Sequence, residues 1–152
     1  MIFSVITIIL VVLDQITKYF SIESLKGASS VVLIDRFLSL TYVENRGAAF
    51  GILQNARWVF IAFTFMALIF IIYYKLRYKP QSYTLNSALC LITSGAIGNL
   101  IDRVGRGYVV DMIEVTFIDY PVFNVADCFV VIGAILLSIY VMFIYKEPKK
   151  DE

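Results

Sequence analysis

Histidine is absent from this chain of 152 residues, and cysteine occurs only twice. Without histidine the chain lacks the commonest general base and the commonest metal ligand, so histidine-dependent serine or cysteine catalysis is excluded. The cysteines, Cys90 and Cys128, lie in different apolar segments, where neither a disulfide framework nor a structural zinc site is expected. Cys128 directly follows Asp127, but it has no base nearby and is predicted to be a packed thiol. No metal or other cofactor is expected.

Charged residues are also scarce, at 16% of the chain, and the net charge is only +1. That balance provides no strong basic field of the kind that would indicate a nucleic-acid partner. Apolar residues are abundant instead: 60% of the chain is hydrophobic, and the mean hydropathy is +0.81. Because about 20 apolar residues cross a bilayer, the sequence predicts an all-α integral membrane protein that forms one domain, residues 1–152.

Four apolar segments are long enough to span a membrane, at about residues 2–20, 58–74, 83–101 and 123–145. The first has no basic leader and no cleavage site, so it is predicted to be a retained helix and not a signal peptide. After it, Phe37 to Val43 alternates between apolar and polar residues, which predicts a short strand, and Val31 to Ile34 is its candidate hairpin partner. The predicted fold is a four-helix bundle with a small β-sheet between helices 1 and 2.

The distribution of basic residues indicates an orientation. Four spans place both termini on the same side as the turn between the second and third spans. Lys and Arg are dense in that turn, at 75–79, and in the tail, at 146–150, whereas on the other side they are spread over longer connections. The positive-inside rule therefore favours cytoplasmic termini and an extracytoplasmic sheet.

Polar residues from separate segments concentrate where the spans end on the extracytoplasmic side. A charged side chain in hydrocarbon costs about 2.5–3.5 kcal/mol on insertion scales, so it persists where it pairs, faces water or does chemistry. Spacings of three or four residues place several of these side chains on shared helix faces. The sets are Asp14 with Lys18, Asn99 with Asp102 and Arg103, and Asn124 with Asp127, and Asn45 and Asp111 lie in connections at the same depth.

Two of these carboxylates, Asp111 and Asp127, are sixteen residues apart, and Asp111 is assigned to the loop between the third and fourth spans. When two carboxylates lie close together one pKa rises, so that one group remains an acid while the other acts as a base on water. Such a pair suits amide hydrolysis. The residues alone leave three classes open: a hydrolase, a proton-coupled transporter and structural polar packing. Polar residues at one interface and not at the midplane argue against the transporter.

Five motifs resemble those of the lipoprotein signal peptidases, or signal peptidase II. In chain order they are DQITK (14–18), ENRGAAFG (44–51), GAIGNLIDR (95–103), GYVVDMIEV (107–115) and FNVAD (123–127). They follow the family's order and spacing over nearly the whole chain. The resemblance implies a four-helix aspartic endopeptidase of the bacterial inner membrane, which cuts prolipoproteins before a cysteine that carries diacylglycerol. It also implies contact with membrane lipid and inhibition by globomycin-like cyclic peptides, and we expect a monomer.

The resemblance further implies roles for individual residues. Asp111 and Asp127 match the catalytic dyad. The residues that match substrate-binding or site-supporting positions are Asp14, Lys18, Asn45, Gly47, Asn99, Arg103, Asn124 and Ala126. Asp102 is expected to be structural, as a cap or an ion-pair partner. Met112 stands where the family often has Phe, a departure that affects packing and not the acid–base chemistry.

Overall fold

A computed structural model describes residues 2–47 and 52–145, which form four helices and one small sheet. The helices are α1 (Ile2–Leu25), α2 (Arg57–Tyr78), α3 (Tyr83–Gly105) and α4 (Val125–Ile139), and α4 continues as a π-helical turn over Tyr140–Ile144. The strands are β1 (Val31–Ile34), β2 (Leu38–Asn45) and β3 (Val109–Val115). β1 and β2 connect α1 to α2, and β3 connects α3 to α4.

All four helices are long and apolar enough to cross a bilayer, at 24, 22 and 23 residues for α1 to α3 and 20 for α4 with its π-helical turn. At 1.5 Å per residue they are about 30–36 Å long, which matches a hydrocarbon core of about 30 Å. Many of their large apolar side chains face outward, such as Phe63, Ile69 and Phe70 on α2. The predicted membrane fold is confirmed. The first three helices run four or five residues past the predicted spans, because polar residues at their ends lower the hydropathy without ending the helix.

The central helix is α3, which packs against α1, α2 and α4. Small residues allow the helices to approach closely, as in many membrane bundles. At Gly133 of α4, an added Cβ would lie 2.8 Å from Ile92 Cγ1 and 2.9 Å from the carbonyl oxygen of Ala88, both on α3. The backbones of α3 and α4 are therefore in direct contact at this point.

The sheet is antiparallel with the order β1-β2-β3. The predicted hairpin of β1 with β2 is confirmed, and the structure pairs Val31 with Leu40 and Val32 with Ser39. The third strand was not predicted, and the assignment of Asp111 to a loop was wrong. Because Val109, Val110 and Met112 are all buried, β3 has no polar face and lacks the alternation that marks a half-exposed strand.

Candidate active site

Asp111 lies on β3 and is only 1% exposed. Its Oδ2 accepts a hydrogen bond from Asn45 Nδ2 at 2.9 Å, and its Oδ1 accepts one from Asn124 Nδ2 at 2.6 Å. The pairing of Val43 with Asp111 brings Asn45, the last residue of β2, to the same end of the sheet. Removal from water raises the pKa of the Asp111 carboxyl to about 6, with a second contribution from the nearby charge of Asp127, while the two amide donors oppose the rise.

Asp127 is fixed at the start of α4 by a capping box. The N–H of Asp127 donates to Asn124 Oδ1 at 2.9 Å, and the N–H of Asn124 donates to Asp127 Oδ2 at 3.1 Å. Asn124 is the N-cap, with an extended backbone at φ −131° and ψ 179°, so the prediction that it shares a helix face with Asp127 was wrong. The pattern Asn-x-x-Asp before an apolar run is a variant of the capping signature and could have shown this.

One asparagine connects the two carboxylates. Asn124 donates to the Asp111 carboxylate through Nδ2 and to the Asp127 carboxylate through its backbone N–H, while its Oδ1 accepts the N–H of Asp127. Asn99 contacts the same group: its Nδ2 donates to Asp127 Oδ1 at 2.8 Å, and its Oδ1 lies 3.2 Å from Asn124 Nδ2. The separation of the two carboxylates is therefore set by neutral amides from α3 and from the cap of α4.

A fully buried ion network supports these amides from the side of α1. Lys18 Nζ lies 3.0 Å from Asp14 Oδ2 and 3.1 Å from Asp102 Oδ2, and all three side chains are 0% exposed. The same ammonium group donates to Asn99 Oδ1 at 2.9 Å. The predicted ion pair of Asp14 with Lys18 is confirmed. Hydrogen bonds from Lys18 to Asn99 and from Asn99 to Asp127 connect this pair to the dyad.

Asp14 and Asp102 each anchor the backbone of another element. Asp14 Oδ1 accepts the N–H of Ala126 in the first turn of α4 at 3.0 Å. Asp102 Oδ2 accepts the N–H of Val110 at 3.0 Å, next to Asp111, and its Oδ1 also pairs with Arg106. The structural role predicted for Asp102 is confirmed. Gln15 was not predicted as a site residue, although its Nε2 donates to the carbonyl of Gly98 at 3.1 Å. A neutral glutamine next to a charged pair carries no sequence signal of such a role.

Gly98 allows α1 to place Asp14 against α3, since an added Cβ would overlap Asp14 Oδ2 and lie 3.3 Å from Ala126 Cβ. Gly98→Ala is expected to lower the free energy of unfolding by about 1–3 kcal/mol, because the buried ion network must shift. Gly105→Ala in the same helix is the matched control, as no atom lies within 4 Å of its added Cβ. Denaturation of both variants in one detergent tests this, and equal stability of the two would contradict it.

The two aspartates line a cleft of about 420 Å³. Six of the ten predicted site residues line it, namely Asn45, Gly47, Asn99, Arg103, Asp111 and Asp127. The other four (Asp14, Lys18, Asn124 and Ala126) lie behind them in the supporting network. Residues 48–51 of the second motif lie outside the described residues.

Arg103 closes one side of this cleft. Its Nη2 donates to the carbonyl of Gly47 at 3.3 Å, and its guanidinium lies 4.8 Å from the ring centre of Phe60 on α2. The N–H of Gly47 in turn donates to Asn45 Oδ1 at 2.9 Å, so the contact reaches the amide that binds Asp111. The cleft also extends between α2, α3 and α4, where its lining was not predicted from sequence: Thr64, Gly95, Ala96, Val130 and Val131.

Comparison with known proteins agrees with this arrangement. Residues 6–143 match the family model described as signal peptidase (SPase) II. A lipoprotein signal peptidase of Clostridioides difficile (strain 630) is 46% identical over 94% of this chain and 96% of its own length. Another, of Caldanaerobacter subterraneus subsp. tengcongensis, is 49% identical over 91% of this chain and 94% of its own.

A solved structure described as a bacterial membrane enzyme, obtained by the in meso method at 1.9 Å resolution, has a TM-score of 0.85. It is 35% identical in sequence and covers 94% of each chain. Fold, motifs and relatives agree along nearly the whole length. The chain therefore belongs to the signal peptidase II family, the multi-pass bacterial membrane proteases that remove signal peptides from prolipoproteins.

Proposed function

We propose that the protein is an aspartic endopeptidase in which Asp111 and Asp127 share one proton, and that it cuts a prolipoprotein just before a diacylglyceryl-modified cysteine. The observation that carries the proposal is the convergence of these two carboxylates, from β3 and α4, on one cleft and on one asparagine. A transporter is not favoured, because the family is one of proteases and the charged network lies at one end of the bundle.

The chemistry follows from the two environments. Asp111, whose pKa is raised to about 6, is suited to hold the shared proton and donate it to the carbonyl oxygen of the scissile amide. Asp127 takes a proton from the attacking water, and the pair later protonates the leaving amine.

The shape of the cleft supports lateral entry of the signal helix. Gly95 and Ala96 of α3 line the cleft beside the dyad, and Val130 and Val131 of α4 continue it into the membrane-spanning part of the bundle. We propose that the signal helix and its attached acyl chains bind along this apolar part, while the scissile amide reaches the dyad. Burial of a remote lipid group then supplies binding energy that positions the reacting amide.

We also propose an inner-membrane location, with the cleft on the extracytoplasmic face and both termini in the cytoplasm. The dense basic residues at 75–79 and 146–150 support that orientation. A monomer is the proposed functional unit, because one chain supplies both carboxylates and their amide partners. Globomycin-like cyclic peptides are proposed to inhibit by occupying the dyad cleft.

Cleavage of a matched pair of prolipoproteins tests the proposed specificity. The purified protein in nanodiscs is given one prolipoprotein with a diacylglyceryl-modified cysteine and the same one unmodified. We expect cleavage directly before the cysteine, identified by product mass, and a far lower kcat/KM for the unmodified form. Equal cleavage of both, or a cut at another bond, would contradict the proposal.

The pH dependence of cleavage should report the shared proton. The pair loses that proton as pH rises through about 6, the value to which the Asp111 pKa is raised, so kcat/KM should fall there. Asn45→Ala removes a donor that favours the Asp111 carboxylate, so the pKa should rise and the alkaline limb should move to higher pH.

Tyr42→Phe on the same strand is the control for this profile. Its hydroxyl contacts Glu44 at 3.2 Å and the Tyr108 hydroxyl at 3.3 Å, and its side chain packs against the cluster of Leu25, Val110 and Met112 and not against Asp111. Its alkaline limb should therefore match that of the wild type. A downward shift in Asn45→Ala, or an equal shift in both variants, would show that the Asn45–Asp111 hydrogen bond does not control the titration.

A further inference from the structure

A second cavity, of about 490 Å³, lies between the C-terminal part of α1 and the sheet. Its lining residues are Thr17, Phe20, Ser21, Ser24, Leu25, Val31, Leu40, Met112, Ile113 and Val125. Among the described residues it shares none with the dyad cleft. On β3, Met112 and Ile113 border this cavity, whereas Val109 and Asp111 border the dyad cleft. We call it the α1–sheet cavity.

The depth and opening of the α1–sheet cavity place it where lipid is available. Thr17 and Leu25 lie about 22 and 35 Å along α1 from Ile2, a stretch that covers one edge of the hydrocarbon core and the ester layer beyond it. Phe20 and Val31, which line the cavity, are 61% and 48% exposed, so it opens outward toward the surrounding bilayer.

One polar group in this apolar lining lacks a partner. Ser21 is 4% exposed, and its Oγ has no hydrogen-bond partner within residues 2–47 and 52–145. The Thr17 hydroxyl one turn earlier, by contrast, donates to the carbonyl of Asp14 at 2.7 Å. A buried hydroxyl without a partner is costly, so an acceptor inside the cavity would stabilise the structure. An ester carbonyl attached to an apolar chain is such an acceptor.

We propose that the α1–sheet cavity binds an acyl chain of a bilayer phospholipid, with the chain's ester carbonyl accepting a hydrogen bond from Ser21. The volume is within the range of about 300–1,000 Å³ typical of ligand sites. The substrate's own acyl chains are not its occupant, an exclusion that rests on the proposed function: the modified cysteine lies beside the scissile bond, and β3 separates the two cavities. The bound chain packs against Met112 and so supports the strand that carries Asp111.

Photolabelling tests this site without requiring activity. The full-length protein is placed in phosphatidylglycerol nanodiscs that contain a phosphatidylglycerol with a diazirine on one acyl chain, and adducts are mapped by mass spectrometry. Met112 is only 4% exposed, so bulk lipid does not reach it, and we expect an adduct on Met112 or Ile113 when the cavity is occupied. Labelling of Met66, which is 59% exposed on α2, is the bulk-lipid reference.

Two variants that fill the cavity make the result decisive. Ser21→Phe and Val31→Phe enter it from α1 and from β1, so one can replace the other if either fails to fold. Each should reduce the Met112 or Ile113 adduct at least several-fold and leave the Met66 adduct unchanged. Asp127→Asn should be labelled like the wild type, which separates this site from the assignment of the dyad. No adduct on 112–113 in the wild type, equal labelling in a folded filled variant, or labelling only by a diazirine-bearing prolipoprotein would overturn the proposal.

Discussion

Asp127→Asn is expected to lower kcat/KM for prolipoprotein cleavage by about 10⁴-fold, the upper end of what general acid–base catalysis contributes. The amide cannot take a proton from water, whereas its oxygen can still accept the N–H of Asn124, so the cap of α4 and the fold should persist. Asp111→Asn should produce the same loss. Because the two groups act as one unit, the double variant should be no worse than either single variant.

Asp119→Asn is the matched control, since it is the same substitution in the exposed turn that precedes α4. Its kcat/KM should equal that of the wild type. All variants are compared by initial rates with lipidated substrate after a thermal melt has shown that they are folded. Near-normal cleavage by folded Asp127→Asn would show that the dyad is assigned to the wrong residues.

The second large effect concerns the buried network behind the dyad. Lys18→Met keeps the length of the side chain but leaves Asp14, which is fully buried, without its cation. Removing one partner of a buried ion pair typically costs about 3–5 kcal/mol, and we expect a loss of that size in the free energy of unfolding. Cleavage should also decrease, because Asn99 loses the donor that fixes its carbonyl and with it the amide that binds Asp127.

Two further variants identify the cause of that loss. Lys26→Met makes the same substitution just beyond the end of α1, where Lys26 is 52% exposed in its pair with Glu44, and stability should not change measurably. The double variant Lys18→Met/Asp14→Asn should be more stable than Lys18→Met alone, because it leaves fewer unpaired carboxylates. Unfolding midpoints in denaturant measure all three. If Lys18→Met is as stable as the wild type, the network does not hold the bundle together.

Interactions between residues near each other in the chain were readable from the sequence. The Asp14–Lys18 pair follows from a spacing of four residues on one helix, and the first hairpin follows from a clear alternation. The N-cap at Asn124 was readable too, from Asn-x-x-Asp, but the helical spacing was mistaken for a shared face.

Other parts of the site depend on how distant segments pack. The N–H of Ala126 donates to Asp14, which lies 112 residues earlier in the chain. The N–H of Val110 donates to Asp102 because β3 runs back beside the end of α3. β3 itself is buried on both faces over its first half, so no alternation marks it. Asn45 was identified by its motif, whereas its hydrogen bond to Asp111 depends on the β2–β3 register, which no local spacing encodes.

The proton shared by the two aspartates can be observed directly by infrared difference spectroscopy. In wild-type protein titrated in lipid, we predict one protonated-carboxyl band that disappears with a midpoint near pH 6, the raised value of the Asp111 pKa. The band should be lost or shifted in both Asp111→Asn and Asp127→Asn, because either substitution breaks the pair, and it should be unchanged in Asp119→Asn. A band that persists unaltered in both dyad variants, or a wild type without any carboxyl titrating near pH 6, would contradict a shared-proton dyad.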